Sequence, residues 1–180
     1  MSRYEEAVAL RRRLGDALLV TDAVYNLGLA AFRARDHARA RREFGAALEQ
    51  ARELGEAPYI AASQLLLAEI ALDSGEAEDA AARARESLAL YSELEDERSR
   101  ARCLVVLAGA AVGAGSHETA ARLLGAADTA RGDDAPDEFE LPILERILPE
   151  LESRIGQASL HDLQAEGLTG TEIVSIDSRA

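Results

Sequence analysis

Few side chains in this sequence are spaced for chemistry. Imidazole is the commonest ligand and general base near neutral pH, yet His37, His117 and His161 lie too far apart for metal-ligand spacing. The single cysteine, Cys103, falls in an apolar run and reads as a small buried side chain rather than a nucleophile. Acidic clusters at 76–79 and 93–97 have the ligand type for a hard cation, but they coincide with expected helix ends and read as solvated caps. Gly109, Gly113 and Gly115 come without the lysine and hydroxyl of a phosphate loop, and no GxGxxG is present. The expectation is therefore no catalytic residue, no metal and no cofactor: the chain reads as a protein that holds another molecule rather than as an enzyme.

Charge narrows the choice of that molecule. Formal net charge is −13, which disfavours nucleic acid and anionic membrane. The distribution is uneven: residues 1–54 carry 10 Arg against 8 acids, and the remainder carries 10 Arg against 25 acids. Arg11, Arg12, Arg13, Arg33, Arg35, Arg39, Arg41 and Arg42 form a basic stretch that reads as an arginine-rich surface paired with Glu43 and Glu49, the alternative being a dock for an acidic partner. All basic residues are arginine, as in a GC-rich coding bias or a salt-adapted protein. One cysteine excludes a disulfide framework and points to a reducing cytoplasm. The start is amphipathic and charged rather than a leader, and no apolar run is long enough to span a bilayer.

The elements that position these residues come from a repeat. Shifting Tyr25–Gly55 by 40 residues superimposes it on Leu65–Glu95, and a further shift brings in Leu104–Leu107 and Ala120–Leu124. Leu27, Leu67 and Leu107 are then equivalent, as are Gly28, Ala68 and Ala108, Ala40, Ala80 and Ala120, and Phe44, Ala84 and Leu124. A fixed period in this range marks a stacked-repeat protein. Alanine, leucine, glutamate and arginine are helix formers, so each unit reads as a helical hairpin. First helices are expected at about 17–33, 57–73 and 97–113, and second helices at about 37–54, 77–94 and 117–131. Asp16, Glu56 and Asp96 suit helix N-termini, and Gly15 and Gly55 suit left-handed helix stops. Gly28, Ala68 and Ala108, opposite Ala40, Ala80 and Ala120, allow close helix approach.

The expected organisation is a repeat region over 1–132, with a half repeat at 1–15 and units 16–55, 56–95 and 96–132. An acidic loop follows at 133–142, where Pro136 and Pro142 should block helix, and then a helical cap at 143–180. Within the cap, helix is expected over 143–156 with a kink or fresh start at Pro149, over 157–165, and as a last turn near 171–176. The half repeat lacks its first helix, so the sequence reads as a piece of a longer protein or as a chain whose exposed helix another copy covers.

Leu27-Gly28, Ala40, Phe44 and Ala47 resemble the tetratricopeptide repeat pattern. The period is longer than that family's usual 34, and Arg52 stands where its closing proline usually falls. This looks like the long-helix variety found in bacterial regulatory ATPases. The tail, with Leu123-Leu124-Gly125-Ala126-Ala127, Gly156, Leu160 and Glu166-Gly167-Leu168, resembles the C-terminal end of LuxR-type regulators with a nucleotide-binding switch domain. The resemblance implies an all-α, right-handed α-α superhelix of three full hairpins plus a half repeat and a cap. It also implies a concave face on the first helix of each hairpin. By register that face carries Asp22, Tyr25, Leu29, Phe32 and Arg33, then Leu65, Glu69, Leu72 and Asp73, then Arg102 and Val105.

This face is largely apolar, so the first helices are apolar nearly all round, which implies burial on both sides. Three coverings are open: a partner's helix or peptide, the chain's own 143–175 segment folded back as a lid, or the neighbouring helices of a plain solenoid. The implied function is a protein-interaction or sensor domain of a bacterial transcriptional or signalling regulator. Its partner would be a protein or peptide, including the switch domain upstream in a longer chain. The alternative is a free-standing adaptor that forms a homodimer through its unpaired first helix.

Overall fold

The computed structural model describes residues 17–167, and within them the chain is all-helical. Eight helices follow one another: α1 (Ala17–Arg33), α2 (His37–Leu54), α3 (Ala57–Asp73), α4 (Ala77–Glu93), α5 (Glu97–Gly113), α6 (His117–Arg131), α7 (Glu140–Ile155) and α8 (Gln157–Glu166). The first six pair as hairpins α1–α2, α3–α4 and α5–α6, stacked in chain order into a solenoid. The half repeat at 1–15 and the turn expected near 171–176 lie outside the described residues.

The 40-residue period is two equal half-steps. A left-handed residue closes every turn between consecutive helices through α6: Arg35, Gly55, Gly75, Glu95 and Gly115, with φ between 56° and 77°. In three of them glycine adopts that conformation without a Cβ penalty. Arg35 and Glu95 adopt it against their side chains, which keeps the repeat in phase at a local cost. Asp36 and Asp96 cap the helices that follow, accepting from the amides of Arg39 and Ser99 at 3.0 Å each. Glu56 occupies the equivalent position before α3 but makes no side-chain cap bond.

Hairpin packing depends on small residues, as the register requires. Ala40, Ala80, Ala120, Ala68 and Ala108 are all fully buried. Their contacts are complementary in size. A Cβ added to Gly28 would lie 2.6 Å from two ring carbons of Phe44, so the largest second-helix side chain sits on the smallest first-helix residue. In the next units Ala68 and Ala108 replace that glycine, and Ala84 and Leu124 replace the phenylalanine. Helices α3 and α5 are buried around almost their whole circumference, with Leu65, Leu66 and Leu67 in one and Leu104, Val105 and Val106 in the other all inside.

The C-terminal helices close the stack. Helix α7 packs on α5 through Ile143, Ile147 and Leu151, and α8 packs on α6 through Leu160. The approach of α8 is close enough that a Cβ on Gly125 would lie 1.8 Å from the carbonyl oxygen of Gln164. Two proline expectations are corrected. Helix α7 begins at Glu140, so Pro142 lies in its first turn, where a missing N–H breaks no bond. Pro149 lies inside the same helix, so the fresh start expected there does not occur.

Candidate interaction groove and the segment that occupies it

Several of the residues chosen by register on the first helices α1, α3 and α5 make contact between neighbouring first helices or with the segment that follows α6. At the α1 end Asp22 accepts from the Tyr59 hydroxyl at 3.0 Å and from the Asn26 amide at 3.0 Å. The Tyr25 ring packs tilted at 5.5 Å from Phe44 on α2 and edge-on at 5.9 Å from Tyr59. Burial pushes the Tyr25 hydroxyl up to about 12, so it stays neutral. Tyr25, Leu29 and Phe32 are half-buried, and Arg33 is exposed.

At the centre of the groove Arg102 donates from Nε to Glu69 Oε1 at 2.6 Å, across adjacent first helices. The Glu69 carboxylate is 5% exposed and Arg102 15% exposed, so this is a desolvated ion pair. Burial raises the Glu69 pKa, offset in part by the Arg102 charge and hydrogen bond. For Arg102 burial opposes the cation, but the Glu69 charge and hydrogen bond outweigh it and its pKa is raised. The Nη2 of Arg102 is buried and has no hydrogen-bond partner.

The covering is the chain's own. Glu138 accepts from Arg33 Nη2 at 2.8 Å, and the Phe139 ring lies 6.1 Å from Phe32 and 3.9 Å beneath the Arg102 guanidinium. Arg146 on α7 reaches Asp73 at 3.2 Å. A Cβ on Gly109 would meet Leu72 Cδ2 at 2.7 Å and Ile143 Cγ2 at 3.2 Å, so Ile143 is seated on the α3–α5 seam. Leu65, Glu69, Leu72 and Val105 are buried, whereas Asp22, Tyr25, Leu29 and Phe32 keep partial exposure and Arg33 and Asp73 remain exposed. Between Phe32, Arg33, Glu69, Phe139 and Ile143 a cleft of about 160 Å³ remains.

This covering segment is internally braced. Asp137 Oδ1 accepts from the amides of Phe139 (2.8 Å) and Glu140 (3.0 Å), and Glu140 Oε2 accepts from the Asp137 amide at 2.9 Å. The arrangement is a reciprocal capping box on α7. Glu140 is buried and also binds Arg131 at 2.8 Å, while Arg131 holds Asp128 at 2.6 Å. Burial works against the Arg131 cation, but these hydrogen bonds keep its pKa raised. Glu138 and Phe139 were read in the sequence as part of a plain acidic loop. Phe139 is the one aromatic after Tyr91, and that isolation within DDAPDEFE was the available signal.

The arginines picked as a basic patch mostly find acids within the chain. Arg35 reaches Asp73 at 3.6 Å, Arg39 reaches Glu43 at 3.7 Å and Arg41 reaches Glu76 at 3.0 Å. Arg11–Arg13 lie outside the described residues. His37 lies against Phe32 with ring centroids 5.7 Å apart, and His117 approaches Glu150 at 3.5 Å. Cys103 is fully buried and donates to Ser87 Oγ at 3.4 Å; burial pushes its thiol up to about 12, only partly offset by that bond. Such a thiol is a poor nucleophile. Among the described residues no cluster of three or more ligating side chains fits a metal, and no helix is long and apolar enough to cross a membrane.

A solenoid of hairpins with a groove along its first helices defines a class of helical-repeat interaction domain. Residues 20–93, spanning the first two hairpins from Val20 to Glu93, match the family model of the tetratricopeptide repeat, whose members bind proteins or peptides. Comparison with curated proteins finds no match.

Proposed function

We propose that the chain is the protein-interaction region of a bacterial regulator and that the α1 end of the groove is where a partner protein or peptide first docks. The observation that carries this reading is the asymmetry of the covering. Phe139 and α7 lie against α3, α5 and the Phe32–Arg33 end of α1, while Tyr25, Leu29, Phe32 and Arg33 on α1 keep part of their surface exposed. Aromatic rings and arginine are the residue types that carry most interface energy. The reading includes no catalysis, no cofactor, no direct contact with nucleic acid or membrane, and a cytoplasmic location. It places a nucleotide-binding switch domain upstream, as the tail's likeness to LuxR-type regulators suggests.

Two experiments test it. A photo-crosslinking side chain at Leu29, on the groove, should trap a discrete partner in source cells, and the same group at exposed Glu49 on α2 should not; equal trapping from both positions refutes the groove. An immunoblot of source lysate separates the regulator from the adaptor: a band several-fold larger than 19.3 kDa supports the former, and a band at 19.3 kDa the latter.

A further inference from the structure

We infer that the groove reads a carboxylate followed directly by an aromatic ring, and that Glu138-Phe139 is a built-in copy of that ligand which competes with the partner. This rests on the groove being the docking surface proposed above, and it names the chemistry of what docks there.

Each half of the pair has its own receptor. The Glu138 carboxylate is held by Arg33 at 2.8 Å. The Phe139 ring is stacked below Arg102 at 3.9 Å, flanked by Arg33 at 5.8 Å and by Phe32 at 6.1 Å. A guanidinium over a ring face is a favourable contact that strengthens when water is excluded. Here Glu69 fixes that guanidinium in place, so the ring meets a preorganised plane rather than a mobile side chain. The capping box on Asp137 and Glu140 presents the two side chains in one fixed geometry, as a bound peptide would.

The internal copy is an imperfect ligand. It leaves Arg102 Nη2 buried without an acceptor. A buried donor without a partner is costly, so a partner segment supplying the same carboxylate and ring plus one acceptor to Nη2 has the advantage over the chain's own residues. Charge supports the choice where Glu138 sits: Arg33 is exposed and cationic there, and a basic side chain in that place would set like charges together. A tethered competitor also lowers the apparent affinity of any partner by the fraction of molecules in which the groove is free.

The test uses the full chain, with Glu138→Ala and Phe139→Ala together removing the internal ligand. The probe is a synthetic peptide of residues 133–142 carrying Trp in place of Phe139. The protein has no tryptophan, so the peptide's indole is the sole one in the sample. The expected result is saturable blue-shifted emission, with half-saturation at least about tenfold lower on the double variant than on the wild type. Glu138→Gln in the peptide and Arg33→Gln in the chain should each weaken binding severalfold, and should not add. If the double variant loses its helical melting transition, Phe139→Leu keeps the apolar contact, removes the ring and serves in its place. Absence of saturable binding, or equal binding to variant and wild type, overturns the inference. Partner crosslinking at Leu29 alongside a failed peptide titration would leave the groove standing and refute only its ligand. Loss of both would refute the groove itself.

Discussion

Replacing Gly28 with alanine probes the packing rule on which the repeat is built. The new Cβ would stand 2.6 Å from Cδ1 and Cε1 of Phe44, about 1 Å inside the ~3.5–4.0 Å optimum for carbon contacts. Phe44 is fully buried, so the ring can yield only by displacing its neighbours. Overpacking of this kind destabilises by ~1–3 kcal/mol, and the better helix propensity of alanine returns ~0.8–1.0 kcal/mol. The net expectation is a loss of up to about 2 kcal/mol. Phe44→Leu alone should destabilise by a similar ~1–2 kcal/mol through the cavity it leaves. Together they recreate the Ala108–Leu124 pairing of the third hairpin, so the double variant should be little worse than Phe44→Leu. The coupling energy should then be up to about 2 kcal/mol in favour of the pair. Urea unfolding followed by far-ultraviolet circular dichroism measures all four corners of the cycle. Additivity within ~0.5 kcal/mol would refute the reasoning.

Two further outcomes are expected. Arg35→Gly and Glu95→Gly relieve left-handed backbone at φ 61° and 56°, and each should stabilise by up to about 1 kcal/mol, less the unfolded-state entropy of the added glycine; a loss at either site would contradict the strain argument. The Glu69 pKa is raised in the folded chain by burial. Its contribution to stability is therefore fully present below the ordinary value of 4.5 and lost as pH rises through the raised folded value. Relative to Glu69→Gln, the wild type should gain stability as pH falls from neutral towards the ordinary carboxyl range. A difference independent of pH would remove the desolvation argument.

Much of this architecture was legible because its causes are local and periodic. Alanine at 40, 80 and 120 marks a contact that recurs only if the helices do, and Gly55 announces a left-handed stop in its own identity. Arg35 and Glu95 carry no such sign; their conformation follows from keeping step with glycines 20 and 40 residues away. The register also placed Glu69 and Arg102 on one face, though nothing periodic indicated that they pair. The covering of the groove was legible only in part: a fold-back of 143–175 was one option among three, and Glu138 and Phe139, which make much of the contact, lie before it. Arg33 and Glu138 are 105 positions apart, and contacts at that separation leave no trace in spacing or pattern. The acidic loop was read from Pro136 and Pro142 as a simple break, because a proline in a first helical turn looks the same in sequence as one that ends a helix.

Phe139 is seated against Phe32 and Arg102 of its own chain. Nuclear Overhauser contacts of the Phe139 ring protons test this directly in the native protein at low concentration. Cross-peaks are expected to the Phe32 ring and to the Arg102 side chain, with the Arg102 guanidinium protons shifted upfield by the ring, whose centroid lies 3.9 Å from Cζ. A Phe139 ring without those cross-peaks and at solvent-exposed shifts would contradict that seating.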